Sequence, residues 1–184
     1  FLRLWIRRGM RQVLQRFYHF EKGEIIMNNQ YPLSEIELES YRNLIGVIPQ
    51  EITIFNGNVI DNILLGKEDD IENLLQFIKE YGFEIYFNQL PQGLATLLGE
   101  EGINLSGGQK QIIALARALY KKPQFLILDE ATAAMDRNTE QFTIDLLQKV
   151  KKDCAIFFIS HRLNMLKNIA DTIYILENKT ISAC

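Results

Sequence analysis

Apolar positions recur at helical spacing from the start of the chain. Ile6, Met10, Val13, Leu14 and Phe17 share one face of a segment, 2–18, whose remaining positions carry Arg3, Arg7, Arg8 and Arg11, as expected of an amphipathic helix. "KGEIIMNNQYPL" (22–33) predicts a strand followed by a turn, and "LIGVIPQEITIF" (44–55) a buried strand that ends at Pro49-Gln50. From there to about Lys122 the period is helical: "NVIDNILLG", "DIENLLQFIKEYGF", and a helix after Ser106, with Asp70 and Ser106 at N-cap positions. The last third alternates. Strand "QFLILDE" precedes helix "TEQFTIDLLQKVKK", strand "CAIFFIS", helix "LNMLKNIA" and strand "TIYILENKTISA", with a turn expected at Asn178.

Strand–helix–strand repetition with near-continuous apolar strands implies an α/β fold built on a parallel sheet covered on both faces. Two lobes are expected within one domain: an α/β core of residues 1–55 and 121–184, and a helical lobe of residues 56–120.

Composition narrows the class without naming an activity. With 184 residues, 47% of them hydrophobic, the chain can bury one substantial core. A net charge of −3 gives no reason to expect nucleic acid as a partner. The two cysteines, Cys154 and Cys184, match no metal spacing, and Cys154 reads as a core residue; such usage suits a reducing compartment. No apolar run approaches the roughly 20 residues that a membrane helix requires. The Arg-rich, acid-free start superficially resembles a transit peptide but lacks its serines. The chain opens at Phe1, not Met, and is expected to be a piece of something longer.

Candidate chemistry gathers at a few strand ends and one helix start. Ser106, Gly107 and Gly108 would present backbone N–H groups at a helix N-terminus, a setting that suits phosphate. Asp129 and Glu130 end an apolar strand at the sheet edge where α/β ligands bind; one could hold magnesium and the other polarise a water, although a solvated turn would read the same way. His161 follows the next strand, and Gln50 ends an earlier one at the entry to the helical lobe. A histidine there can contact a terminal phosphate, and the Gln50 amide reads either as a reach toward magnesium or as a turn amide. His19 has no such company and reads as structural.

Together these residues resemble the nucleotide-binding domain of an ABC transporter, over nearly the whole chain. Leu105-Ser106-Gly107-Gly108-Gln109 matches the family's signature motif, "FLILDE" looks like Walker B, Ala133-Ala134-Met135-Asp136 resembles the D-loop, His161 the switch histidine and Gln50 the Q-loop glutamine. The resemblance implies a P-loop NTPase-like core with a helical signature-motif lobe, and ATP with Mg2+ as cofactors. It implies Glu130 and His161 as catalytic residues and Asp129 with Gln50 at the metal. Gln50, Ser106, Gly107, Gly108, Gln109, Asp129 and Asp136 would contact the nucleotide. It further implies a second ATPase domain paired head to tail, a transmembrane domain in the same or another chain, and a place at the cytoplasmic face of the membrane. "RFYHFEKGEI" and "IFNGNVIDNILLG" resemble the exporter branch, and "ATAAMDRNTE" resembles bacterial exporters that carry a peptidase domain and secrete peptides. "TLLGEEG" departs from the exporter pattern at Leu97 and Glu101, and Ile112 stands where an arginine is common.

One motif is missing. No segment fits the P-loop pattern of glycine, four residues, then Gly-Lys-Ser/Thr. Gly66-Lys67 is followed by Glu68, with Asp61 where the first glycine should be. Counting back from Arg16-Phe17-Tyr18, the family's Gly-Lys-Ser-Thr falls on Ile6-Arg7-Arg8-Gly9, and bulky side chains there would block close backbone approach to phosphate. The fold is therefore expected to be truncated at its N-terminus, by fragmentation, frame disruption or degeneration, and to leave an unpaired sheet edge. Three readings stay open: an ATP-hydrolysing domain of a bacterial exporter, a non-catalytic partner lending "LSGGQ" to an intact domain, and a non-functional fragment. A DNA-repair ABC protein would call for a coiled-coil insertion and basic surfaces, and neither is visible.

Overall fold

The computed structural model describes residues 9, 11–18, 22–66, 71–100, 102–160, 162, 167, 169–177 and 180–183. Residues 11–14 form a helical segment, α1. The expected helix over 2–18 thus stops at residue 14, where Arg16 turns left-handed with φ 55°; its first positions, apart from Gly9, lie outside the described residues. The strand and turn expected over 22–33 are β1 (Ile26–Met27) and the turn after it, and an unforeseen second strand, β2 (Tyr31–Pro32), completes an antiparallel hairpin. Asn28 and Asn29 sit between them at φ 52° and 55°, the left-handed pair that a tight hairpin turn favours. An unforeseen helix, α2 (Leu38–Leu44), follows, capped by the Glu37 carboxylate, which accepts from the N–H groups of Glu39 and Ser40.

Three parallel strands carry the core: β3 (Ile45–Ile48), β6 (Phe125–Asp129) and β7 (Ala155–Ile159), in the order β3-β6-β7. In register, Ile48 stands opposite Leu128, and Asp129 opposite Ile159. Leu126, Ile127 and Leu128 are wholly buried in the central strand. Among the described residues β7 pairs only with β6, and Ile156 to Ile159 are half-buried.

The lobe between β3 and β6 is less uniformly helical than its hydrophobic period suggests. A short strand β4 (Gly57–Asn58) leads into α3 (Val59–Leu64), α4 (Ile71–Tyr81) and α5 (Glu84–Phe87). Asn58 and Asp61 form a reciprocal capping box on α3, a local reason for that helix to begin there; Asp70, expected to cap α4, lies outside the described residues. Residues 88–105 then run as turns, a 3-10 turn at Gly93–Ala95, and β5 (Leu97–Leu98), which pairs with β4. Pro91 with Gly93 at φ 55° and Gly99 at φ 90° interrupts any helix there. The long α6 (Gly107–Tyr120) closes the lobe.

Downstream, α7 (Arg137–Val150) packs Ile144, Leu146 and Leu147 into the core. The strand expected over 172–183 is a hairpin, β8 (Tyr174–Glu177) and β9 (Thr180–Ala183); Asn178, placed at its turn, lies outside the described residues. So do Leu163 to Leu166 of the expected helix 163–170. Cys154 is buried, in keeping with a core role, and desolvation pushes its thiol pKa up.

One continuous apolar cluster runs from Val59, Ile63 and Leu74 through Ile112 and Leu115 to Leu126, Leu128 and Leu147, so lobe and sheet share a core. Inside it lies a polar node. Asn62, fully buried, accepts from the Phe55 N–H at 2.9 Å and donates to the carbonyls of Phe55 and Asn58. Arg117 of α6 donates to the Asn62 carbonyl at 2.7 Å, to its side-chain oxygen at 3.0 Å and to the Thr53 carbonyl at 3.0 Å. Replacing Asn62 by Leu would strand the Phe55 backbone and part of a guanidinium away from water, at a cost of about 3 kcal/mol. Urea unfolding of Asn62→Leu checks this; a loss under about 0.5 kcal/mol would mean the node is dispensable.

Candidate functional site

The parallel register brings Gln50, Asp129 and Glu130 to one edge of the sheet. Gln50 lies two residues past the end of β3 and is exposed. Asp129 is the last residue of β6 and is 5% exposed. Glu130 leaves the strand with φ 51°, a left-handed conformation that a non-glycine residue adopts only when its surroundings hold it there. Its N–H donates to the Ile159 carbonyl at 2.9 Å, which ties this turn to the end of β7. The Gln50 side-chain amide donates to Glu130 Oε2 at 3.3 Å. Gln50 therefore touches the proposed base directly. Behind them the buried Gln111 amide lies 3.5 Å from the Glu130 carbonyl oxygen.

Sequence reading missed Arg11. Its Nη1 donates to Asp129 Oδ2 at 3.0 Å, in an ion pair whose side chains are 19% and 7% exposed. Arg11 was legible only as one of several arginines on a polar stripe. The available signal was its spacing, four residues and so one helical turn beyond Arg7, the position that the family count gives to lysine. Magnesium seeks oxygen ligands in near-octahedral array. Here a guanidinium stands against the carboxylate that would face the ion, and the Gln50 amide is turned to Glu130. As placed, Asp129 with Arg11 on its Oδ2 does not fit the ion, whereas the Gln50 bond to Glu130 uses the amide nitrogen and not the oxygen that a cation would seek.

The helix start and the D-loop segment lie together. Ser106 caps α6: its Oγ accepts from the Gln109 N–H at 3.2 Å, while the Gln109 side-chain oxygen accepts from the Ser106 N–H at 2.9 Å. That reciprocal box turns the Gln109 oxygen inward. Ser106 and Gly107 are exposed, with Gly108 half-buried behind them. A Cβ on Gly107 would stand 2.6 Å from the Ala134 Cβ, and one on Gly108 3.4 Å from the Ala134 carbonyl oxygen. Glycine at 107 is thus required by the close approach of residue 134.

Asp136 caps α7. Its carboxylate accepts from the N–H groups of Asn138 and Thr139 and from the Thr139 hydroxyl. The Thr139 backbone and side-chain bonds, aided by Asn138, hold its pKa below the usual carboxylate range. His161 lies outside the described residues. Its neighbour Arg162 donates to the Thr132 carbonyl at 3.1 Å and pairs with Glu140 of α7, which ties the exit of β7 to the D-loop segment. Among the described residues no cluster of His, Cys, Asp and Glu forms a metal cage, and no helix is long and apolar enough to cross a membrane.

Comparison with known proteins bears on the family. A family model described as ABC transporter matches residues 10–133. A "Putative export ATP-binding/permease protein" of Rickettsia bellii is 39% identical over 172 residues, covering 94% of this chain and 30% of the relative. "ABC-type transporter fsqE" of Aspergillus fumigatus is 38% identical over 169 residues, covering 90% and 13%. A solved bacterial Atm1-family ABC exporter with ATP bound superposes with a TM-score of 0.85 at 32% identity, covering 95% of this chain and 31% of that one. The chain thus spans about a third or less of the length of these proteins.

Two outcomes follow from the geometry. Gly107→Ala should lose about 1–2 kcal/mol through the clash with Ala134, regained when Ala134→Gly is added, whereas Gly108→Ala should cost less; equal losses at both glycines would contradict the close approach. Asp136, with its pKa depressed in the fold, contributes stability above the unfolded carboxylate value near 4 and loses it as pH falls through the folded value. Stability measured against pH should therefore show a shallower acid limb in Asp136→Asn, and an unchanged limb would mean that the cap does not titrate with folding.

Proposed function

The chain belongs to the ABC transporter family, and on that premise we propose that it is the ATP-binding domain of a bacterial exporter that drives transport of a peptide or similar substrate. The observation that carries this reading is the capped, exposed start of α6, with Ser106 and Gly107 facing outward beside Ala134. Free N–H groups at a helix N-terminus favour a phosphate through both hydrogen bonds and the helix dipole. In a head-to-tail pair they would meet the γ-phosphate held by a second ATPase domain. Asp136 stands beside that surface, and a transmembrane domain, in the same chain or another, would hold the pair at the cytoplasmic face of the membrane.

At this chain's own edge, Glu130 takes the role of general base. Its carboxylate orients a water and accepts its proton as the oxygen attacks the γ-phosphorus; the bond to the β–γ bridging oxygen breaks, leaving ADP and inorganic phosphate. Gln50 positions that carboxylate through its 3.3 Å hydrogen bond. His161, by family resemblance, contacts the γ-phosphate. Such chemistry depends mostly on positioning and electrostatics, and the sequence lacks the glycine cradle that would hold the phosphates. Arg11 against Asp129 favours a second reading, in which the chain serves chiefly by lending Ser106 to Gln109 to an intact partner.

Calorimetric titration of MgATP tests the proposal on the purified chain mixed with an intact exporter ATPase domain whose catalytic glutamate is replaced by glutamine. The mixture is expected to bind at least about tenfold more tightly than that domain alone, and Ser106→Arg to abolish the gain. No gain on mixing, or a gain that survives Ser106→Arg, rules the proposal out. Glu130→Gln separates the two readings: it removes the chain's own ATP turnover on the first, and leaves the partner's unchanged on the second.

A further inference from the structure

Arg11 is the charged group at the sheet edge that the mechanism above leaves unused. Its guanidinium reaches Asp129 from α1, 118 residues away in sequence, and the pair is largely buried. Its Nε is buried without a partner among the described residues. The residue is also anchored from below. The Tyr41 hydroxyl donates to the Leu14 carbonyl at 2.7 Å, and the Arg16 guanidinium donates to the carbonyls of Ser34 and Ile36, which fixes the end of α1 to α2 and the segment before it. A guanidinium stays charged at any pH the fold survives. A dication approaching Asp129 would have to compete with a permanent cation already on Oδ2 of a nearly buried carboxylate, where two like charges repel strongly. The other acidic group at this edge, Glu130, is engaged by Gln50.

We propose that Arg11 is the resident cation of this site and excludes divalent metal from Asp129, so that nucleotide at this chain's own edge is bound without magnesium. The proposal rests on the reading of this edge as an ATP site. It differs from that reading in naming Arg11 as the residue that sets the metal requirement. The role is one of charge and position; Arg11 acts through Asp129, and nothing here requires it to touch the reacting atoms.

The test uses Mn2+ as the probe, followed by loss of its free-ion electron paramagnetic resonance signal on titration with the whole chain, with circular dichroism of each variant as the folding check. Wild-type chain is expected to take up no Mn2+ saturably. Arg11→Gln is expected to bind it at least about tenfold more tightly, and Arg11→Gln combined with Asp129→Asn to lose that gain. A folded Arg11→Gln that gains nothing overturns the proposal. So does wild-type chain that binds Mn2+ saturably and loses it in Asp129→Asn, a result that stands whether or not Arg11→Gln folds. ATP titrated into wild type with excess Mg2+ and again with EDTA is expected to give equal affinity. Absence of ATP binding in both conditions would count against the ATP-site reading alone, leaving the Mn2+ titration to decide the role of Arg11.

Discussion

The candidate groups at the sheet edge take their place from strand β6. It is hydrogen-bonded on both edges, to β3 and β7, and its three central residues are sealed from water. Burying each such side chain contributes roughly 1.5–3 kcal/mol, so a slip in its register would be heavily penalised. Because all three strands run parallel, their carboxyl ends emerge together, which sets Gln50, Asp129 and Glu130 on one edge. The same enclosure makes Asp129 demanding. A carboxylate at the end of a buried strand has little water to solvate it and must be paired, and in this chain the partner at hand is Arg11.

A second constraint joins that edge to the helical lobe. The segment that leaves Gln50 passes Thr53 and Phe55, whose backbone groups are held by Asn62 and Arg117. Arg117 stands in the last turns of α6, and Ser106 caps the other end of the same helix, about 16 Å away at 1.5 Å per residue. Desolvation lowers the Arg117 pKa, yet its hydrogen bonds and the Phe55 ring 5.2 Å away keep the guanidinium satisfied. The segment after Gln50 is thus joined to α6 both by hydrogen bonds from the Asn62 and Arg117 side chains and by Ile52 and Ile54, which pack against the shared core.

What could be read from the sequence was what local periodicity encodes. The parallel strands and helices α4, α6 and α7 stand out because their apolar positions repeat over long enough windows, and Ser106 announces its cap through Gln109 three residues on. The failures have equally local causes. Leu90, Leu94, Leu97 and Leu98 continue a helical density through a stretch that Pro91, Gly93 and Gly99 prevent from coiling. The turn after β1 was legible, but β2, only two residues long, has no period of its own to reveal it. The pairing of Arg11 with Asp129 had only a faint signal, the spacing of Arg11 from Arg7, because it joins residues 118 positions apart. The inward turn of Gln50 toward Glu130 was equally hidden, since the amide had two chemically sensible targets and only the fold chooses between them.

The two halves of the nucleotide chemistry therefore stand on different footings. The start of α6 is built from residues three positions apart, Ser106 and Gln109, is braced by Ala134, and does not depend on α1 or on the N-terminal positions where a P-loop would lie. The hydrolytic edge has no such independence: Asp129 depends on what α1 brings to it, and the sequence brings a guanidinium instead of a glycine cradle and lysine. A change confined to the first dozen residues can thus alter the second half while leaving the first intact. On the proposed head-to-tail pairing, that separation would let a chain with no hold on its own nucleotide still complete a neighbour's site, because the two surfaces are encoded in different parts of the fold.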